Sequence, residues 1–331
     1  MAVSRDLQFL SQIDLHEAER YGGKAAGLVR LIRHGFRVPQ GFAIACECFQ
    51  DILRTRPAIT RALDSLAKAT QPDEILQSAE KVGNLLHEYC LPEYLQKEIE
   101  GLFRELQAIS EKMHGYAVRS SANIEDTAIT SFAGQGTTSL CVVDSDSILD
   151  SIRETWFSLF SLEGLLYLKS KDIPFESVQM GVVVQEMVPA DVSGVMFTAD
   201  VVESRMDRML IDSTWGLGEP VVSGKITPDS FVIRKKPLEI LQRRLGSKRL
   251  IARKSASSEE PGYSLSEMPE EKRAEFSLCD EDILTIAKIG MEIEHRLGRP
   301  QDIEWCMVGT DVIVVQARPI TTLQQPCNGS R

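Results

Sequence analysis

The chain has 331 residues, 43% hydrophobic and 26% charged, with a formal net charge of −11; that length holds one large domain or two modest ones, with enough apolar residue for a core. The acidic balance argues against a broad nucleic-acid surface, and no apolar run approaches the ~18 residues of a membrane span. Met1-Ala-Val-Ser-Arg-Asp6 lacks a signal-peptide apolar region and the seven cysteines form no pair of C-x-x-C knuckles, so the expected setting is a reducing cytoplasm, with free thiols, no membrane and no zinc site.

Residues 1–20 carry little signal. Gly22-Gly-Lys24-Ala-Ala-Gly27 opens a helix whose Leu28, Leu31 and Ile32 share a face, with Gly35 suited to its C-terminal cap. A lysine in a first turn opposes the helix macrodipole, which makes sense if Lys24 and the free N–H groups face an anion; a solvated surface lysine is the alternative. Arg37 to Phe42 reads as a turn into a strand, Phe42–Ala45. Residues 47–113 repeat apolar positions at helix spacing, and Pro57, Pro72 and Pro92 divide them into three or four helices with a scaffold role.

Tyr116 to Val118 reads as the end of a buried strand that delivers Arg119, Ser120 and Ser121 at its tip. Guanidinium and hydroxyl donors match the oxygens of an oxyanion. Glu125 and Asp126 follow. Ser131-Phe-Ala-Gly134-Gln135-Gly136 then gives a small-residue loop whose N–H groups can approach a phosphate chain. An ordinary strand-to-loop junction with a solvated arginine accounts for the same residues, and there is no G-x-x-x-x-G-K-[ST] loop.

Ser139–Val143 is a short strand, and Asp146 begins a long helix with the stripe Ile148, Leu149, Ile152, Trp156, Leu159, Phe160, ending near Lys169 and Lys171. Val178–Val184 alternates and leaves the core at Gln185-Glu186-Met187-Val188. Ser193–Thr198 is a further strand, with Pro189 marking a junction of lobes. Arg208–Asp212 is a strand, followed by Trp215-Gly-Leu-Gly-Glu219, a tight turn that presents Glu219 or is only a turn. Residues 221–229 form a loop and Ser230–Arg234 a strand. Arg243–Ser258 is expected as an exposed hairpin or loop, its cluster Arg243, Arg244, Lys248, Arg249, Arg253, Lys254 solvated. Asp280–Leu297 is an amphipathic helix with Ile283, Leu284, Ile286, Ala287, Ile289 and Ile293 inward.

Asp302–Met307 and Val312–Arg318 both alternate. A three-residue loop, Gly309-Thr310-Asp311, sets Glu304 opposite Gln316 and Asp302 opposite Arg318; a two-residue loop would place Glu304 opposite Val315 and destroy the cluster. Carboxylate and amide oxygens beside phosphates suit Mg²⁺, and Arg318 suits a phosphate oxygen. A structural Asp302–Arg318 ion pair is the alternative.

Five stretches in order, Gly22-Gly-Lys-Ala, Ala117-Val-Arg-Ser-Ser-Ala with Ser131-Phe-Ala-Gly-Gln, Val184-Gln-Glu-Met-Val188 with Ser193-Gly-Val-Met-Phe-Thr198, Trp215-Gly-Leu-Gly-Glu219, and Asp302-Ile-Glu-Trp305 with Gln316-Ala-Arg-Pro319, span about residues 20–322. Together they resemble the nucleotide-binding domain of the pyruvate phosphate dikinase and phosphoenolpyruvate synthase family, an ATP-grasp domain. Any one is weak; the set is specific for the domain but not for the acceptor. The resemblance implies an α+β, ATP-grasp-like two-lobe fold with mixed or antiparallel sheets. The N-terminal lobe is 1–188, with the helical insertion 47–113; the C-terminal lobe is 189–322 and the tail 323–331. It implies ATP and Mg²⁺ as cofactors, with Lys24, Arg119 and Arg318 neutralising developing charge. Nucleotide contacts fall to Lys24, Arg119, Ser131, Gly134, Gln135, Glu219, Arg318 and the adenine-lining hinge Gln185, Glu186, Met187, Val188; Glu304 and Gln316 are the implied metal ligands.

Full-length members of that family carry a swivelling domain with a phosphorylatable histidine in a T-x-H-[AS] motif. None of His16, His34, His87, His114 or His295 has that context. The expectation is therefore an ATP-binding subunit of a split phosphotransferase that closes its lobes on Mg·ATP. It would transfer phosphoryl to a histidine on a separate chain, for passage to a small-molecule acceptor such as a phenol, as in phenylphosphate synthase, or pyruvate. A truncated phosphoenolpyruvate synthase or rifampicin-type phosphotransferase would present the same features. A self-sufficient ATP-grasp carboxylate–amine ligase and a non-catalytic nucleotide-binding regulator are the other readings.

Overall fold

A computed structural model describes residues 6–110, 114–122, 138–174, 177–254 and 262–321. The chain divides into two units, Met1–Val29 with Gln40–Met187, and Arg30–Pro39 with Val188–Arg331. The fold is mixed α+β, and every pair of named strands is antiparallel. Among the described residues no helix is long and apolar enough to cross a membrane.

In the first unit, β1 (Leu7–Phe9), β2 (Gly41–Ile44), β3 (Tyr116–Ala122), β4 (Thr138–Val142) and β5 (Met180–Glu186) form a sheet in the order β1-β2-β5-β3-β4. α1 (Gly22–Arg33) ends in a Schellman motif: Phe36 N–H donates to Leu31 O and Gly35 N–H to Ile32 O, with Gly35 at φ 81°. The prolines yield four helices, α2 (Cys46–Arg54), α3 (Pro57–Lys68), α4 (Pro72–His87) and α5 (Glu93–Ile109). Pro57 and Pro72 sit in first turns, where no N–H is needed, and Pro92 precedes α5.

The single long helix expected after Asp146 is two, α6 (Ser145–Ser158) and α7 (Leu162–Ser170). Asp144 accepts from Ser147 N–H and Ser161 from Gly164 N–H, so each helix starts at its own side-chain cap. Trp156 is fully buried, stacks on Phe49 at 5.9 Å and donates Nε1–H to Met180 O at 3.1 Å. The helical scaffold is thereby fixed to the sheet strand that leads to Gln185.

In the second unit the sheet order is β13-β12-β6-β7-β8-β9, from β6 (Val192–Phe197), β7 (Arg208–Trp215), β8 (Asp229–Arg234), β9 (Glu239–Arg244), β12 (Gln301–Val308) and β13 (Asp311–Pro319). Short helices α8 (Glu219–Val222) and α9 (Glu270–Arg273) and the hairpin β10 (Leu250–Lys254) with β11 (Tyr263–Glu267) complete it with α10 (Asp280–Leu297). α10 has the expected bounds, but Gly290 is buried and Leu284 and Ile289 only half-buried. Gly290 touches Met196 and Met209, so the helix packs on the β6–β7 face where a side chain would not fit.

Two expectations fail here. β7 continues through Trp215 rather than ending at Asp212. In the stretch from Arg243, which forms β9, β10 and the loop between them, Arg243, Arg244, Arg249, Arg253 and Lys254 are exposed as expected, but Lys248 is fully buried in an ion pair with Asp229. Asp229 also accepts from Gly246 N–H at 2.8 Å and from Ser277 N–H and Oγ, each at 2.8 Å. A buried lysine needs a paired anion, and its partner lies 19 residues away, so local composition could not reveal it.

Gly194 marks the tightest point of this sheet. A Cβ there would fall on the Asp212 carbonyl oxygen and within 2.7 Å of the Trp305 ring. Gly194→Ala is expected to cost about 3 kcal/mol, at the upper end for overpacking; a thermal midpoint within 1–2 °C of wild type would contradict it.

Candidate functional site

In the first unit the candidate cations rest on a helix start and a central strand. β3 lies between β5 and β4, and Arg119 pairs with Val183 and Thr138. The polar residues expected at a strand tip are inside the strand, which runs to Ala122, and their hydroxyls are engaged. Ser121 Oγ accepts from Ala25 N–H at 3.0 Å. Lys24 Nζ donates to Ser120 O at 2.9 Å and to Ser120 Oγ at 3.3 Å. Small residues are needed on both sides: Gly22, at φ 82°, approaches the Ser121 backbone so closely that a Cβ would overlap its carbonyl. Ser120 and Ser121 thus accept the hydrogen bonds that dock α1 and fix Lys24 at the residue following Arg119; these bonds do not use the serine O–H groups as donors. Ser131, Gly134 and Gln135 lie outside the described residues.

The segment Gln185–Met187 closes β5. Gln185 is buried and pairs with Gly41 and Ala117. Glu186 N–H donates to Gln40 O at 2.8 Å and Met187 N–H to Gly115 O at 3.0 Å. Met187 Sδ accepts from Cys141 N–H at 2.9 Å, so its thioether already has a polar contact. Burial pushes the Cys48 thiol up to about 12, which removes it as a nucleophile at neutral pH.

In the second unit the β12–β13 hairpin carries the oxygen donors. Glu304 stands opposite Gln316 and Asp302 opposite Arg318. The expected pairs form, but by another route. Val308 pairs with Asp311, so the turn is the two residues Gly309-Thr310, with Gly309 at φ 59°; positive φ at the first position is what a two-residue hairpin turn demands. The register then shifts between Glu304 and Trp305: Trp305 pairs with Val314, and Val315 is the extra residue of a β-bulge. A bulge turns the following side chains to the other face, which restores Gln316 to the face of Glu304.

That face carries polar residues on either side of Val195. Glu304 pairs with Val195, Val195 with Asp212 and Asp212 with Ser230. Asp212, which the sequence reading passed over, is raised above the usual carboxylate range by burial, offset by its hydrogen bond from Ser230. The alternation Leu210, Asp212, Thr214 was the available signal. Arg318 is half exposed and donates to Asp302 at 2.9 Å through Nε and pairs with it through NH2 at 2.8 Å. Burial holds Asp302 above its ordinary value; Arg318 opposes this and the nearby Glu304 adds to it. Adjacent carboxylates with oxygen partners fit a hard divalent cation, which relieves their repulsion. Among the described residues no three His, Cys, Asp or Glu could hold a metal by themselves, so Mg²⁺ there would take its remaining oxygens from nucleotide and water, as Mg²⁺ commonly does.

Glu219 begins α8 and accepts a hydrogen bond from Tyr263 OH, which in turn accepts from Lys225 Nζ at 3.1 Å. Leu217 N–H donates to Ala252 O at 3.2 Å. The β10–β11 hairpin therefore steadies the glycine turn. Tyr263 had no legible link to Glu219, 44 residues earlier.

Residues 18–329 match the pyruvate phosphate dikinase AMP/ATP-binding domain. A rifampicin phosphotransferase of Streptomyces sviceus is 35% identical over 95% of this chain and 36% of its own length. A probable phosphoenolpyruvate synthase of Methanocaldococcus jannaschii is 30% identical over 96% of this chain and 27% of its own, and a rifampicin phosphotransferase of Bacillus subtilis 34% identical over 94% and 36%. The chain thus spans about a third of the length of these curated relatives. A solved structure from Pyrococcus horikoshii aligns with a TM-score of 0.34 at 12% identity, over 80% of this chain and 99% of that one, too low a similarity to bear on the fold. With its motifs in order and its match running nearly end to end, the chain belongs to the pyruvate phosphate dikinase AMP/ATP-binding domain family.

Proposed function

We propose that this chain is the Mg·ATP-binding part of a dikinase-type phosphotransferase, with an ATP-grasp fold whose lobes are residues 1–188 and 189–322. It passes phosphoryl from ATP to a histidine on a swivelling domain or subunit carried by a separate chain. That carrier serves a small-molecule acceptor, with phenols, pyruvate and the rifampicin-type antibiotics the classes that the resemblance and the relatives' names suggest. The observation that carries this reading is the bulged hairpin, which pairs Glu304 with Gln316 across its two strands, with Arg318 two residues on.

Lys24, Arg119 and Arg318 are the basic side chains of the proposed site. They hold phosphate oxygens and offset the charge that builds on them, the main source of catalysis in phosphoryl transfer. Gln185, Glu186, Met187 and Val188 receive the adenine, and Glu219 orients the nucleotide from its Tyr263-held position. Glu304 and Gln316 hold Mg²⁺, which would supply charge neutralisation on the phosphates. These side chains do no covalent chemistry; they bind, orient and stabilise.

The test uses ATP radiolabelled at either the β- or the γ-phosphate, with Mg²⁺, and this chain with or without a candidate histidine-bearing protein. Acid-labile label on that protein's histidine, only when this chain is present, is the expected result. Release of ADP that depends on a carboxylic acid and an amine, with no labelled partner, would replace this reading with a ligase. Glu304→Ala is expected to raise the Mg²⁺ concentration for half-activation by about tenfold or more. An unchanged Mg²⁺ dependence would remove Glu304 from the metal site.

A further inference from the structure

A cleft lies within the second unit, lined by none of the residues assigned above. It has a volume of about 570 Å³, within the roughly 300–1,000 Å³ of small-molecule sites. The end of α10, the start of β7 and the residues just after β8 line it. Its charges do not cancel. Asp207 is held by Arg205, Nε to Oδ1 at 3.0 Å and NH2 to Oδ2 at 2.8 Å. Glu294 is held by Lys235 at 2.6 Å. Both wall carboxylates are therefore neutralised by neighbours, while Lys236 and Arg299 have no ion pair among the described residues and His295 stands beside them. The carbonyl end of α10 contributes only about half a negative charge, less than these two full cations.

The rest of the lining suits an apolar body. Met206 and Met291 are unbranched and polarizable, surfaces that adapt to a flat ring. The walls are also set in advance. Asp200 and Arg205 exchange backbone hydrogen bonds at 2.9 Å, and Asp200 Oδ1 accepts from Val202 and Glu203 N–H at 3.0 and 2.9 Å. Lys235 N–H donates to Asp207 O at 2.9 Å, and Gly298, at φ 73°, closes α10. A preformed cleft loses little ordering entropy on binding.

We infer that this cleft is a second ligand site, which takes an anionic aromatic small molecule with its phosphate, sulfonate or carboxylate on Lys236 and Arg299 and its ring on Met206 and Met291. It is independent of the nucleotide reading and would suit an effector rather than the reacting substrate.

The two methionines make the test direct. The full chain labelled with ¹³C-methyl methionine, its Met206 and Met291 signals assigned by Met→Leu substitution, is titrated with 1-naphthyl phosphate in saturating Mg·ATP. Saturable movement of both signals is expected, with affinity at least about tenfold weaker in Lys236→Glu/Arg299→Glu, since each charged hydrogen bond is worth about that factor. Both residues are exposed, so the other methyl signals should not move in the variant. Neutral 1-naphthol on the wild-type chain is the second arm, expected to bind at least about tenfold more weakly. Stationary Met206 and Met291 signals, equal affinity in the double variant, equal affinity for the naphthol, or loss of the shift when Mg·ATP is present would each overturn the assignment.

Discussion

Arg119→Ala is expected to lower phosphoryl transfer by about a thousandfold or more, the scale at which a transition-state arginine acts, while adenine binding stays measurable. Arg119 sits in mid-strand, with β4 and β5 on its two sides, so its truncation deletes a cation without loosening the backbone that carried it. The loss should therefore fall mainly on kcat at saturating ATP. The adenine contacts proposed for Gln185, Glu186, Met187 and Val188 are expected to keep the nucleotide bound. Lys24→Met is the instructive comparison. Lys24 also donates to Ser120 O and Oγ, so that change removes a charge and releases a contact between α1 and β3. A lowered thermal midpoint is expected for Lys24→Met. Full transfer activity in the Arg119 variant would sink its assignment to the phosphates.

The largest stability effect is expected at a residue with no proposed role in chemistry. Lys248→Met leaves the fully buried Asp229 carboxylate without its counter-ion, and breaking such a pair from one side costs about 3–5 kcal/mol. Much of that is desolvation of the stranded charge, so a neutral second site should recover part of it. Lys248→Met with Asp229→Asn removes the charge but offers Gly246 N–H and both Ser277 donors a poorer set of acceptors than the carboxylate they have now. Recovery is expected to be partial, by about 1–3 kcal/mol. Urea denaturation of both variants and of Asp229→Asn alone closes the cycle. A single variant within 1 kcal/mol of wild type, the range of exposed ion pairs, would show that Lys248 behaves as a surface residue.

The same pair shows where the sequence was legible and where it was not. α10 was readable to its bounds because a single amphipathic helix is specified by its own residues. The breaks at Pro57, Pro72 and Pro92 were equally local. The α6–α7 break was missed although Ser161 stood in the sequence as a cap, since the apolar stripe runs through it. Lys248 looked solvated because its neighbours are basic, and only a carboxylate 19 residues away makes its burial tolerable. In the candidate site, Glu304 and Gln316 were legible as a pair, yet the three-residue loop assumed for them is a two-residue turn with a bulge at Val315. Strand alternation gives which residues share a face, but a bulge changes that count invisibly. Ser120 and Ser121 also accept the bonds that seat the start of α1, and nothing near them in the chain announces that contact.

The contact between Lys24 and Ser120 has a consequence for assembly. The two residues are 96 apart in sequence, and all of α2–α5 lies between them. Closing so long a loop is entropically costly and is repaid only when intervening structure has formed. Helices α2–α5 close their backbone hydrogen bonds locally and can form quickly; the seating of Gly22 and Lys24 against β3 must wait for the strand to join its sheet. In refolding, protection of the Ala25 amide, which rests on Ser121 Oγ, should therefore trail protection within α2–α5. An early collapsed species would hold its scaffold while Lys24, the proposed phosphate ligand, still swings free.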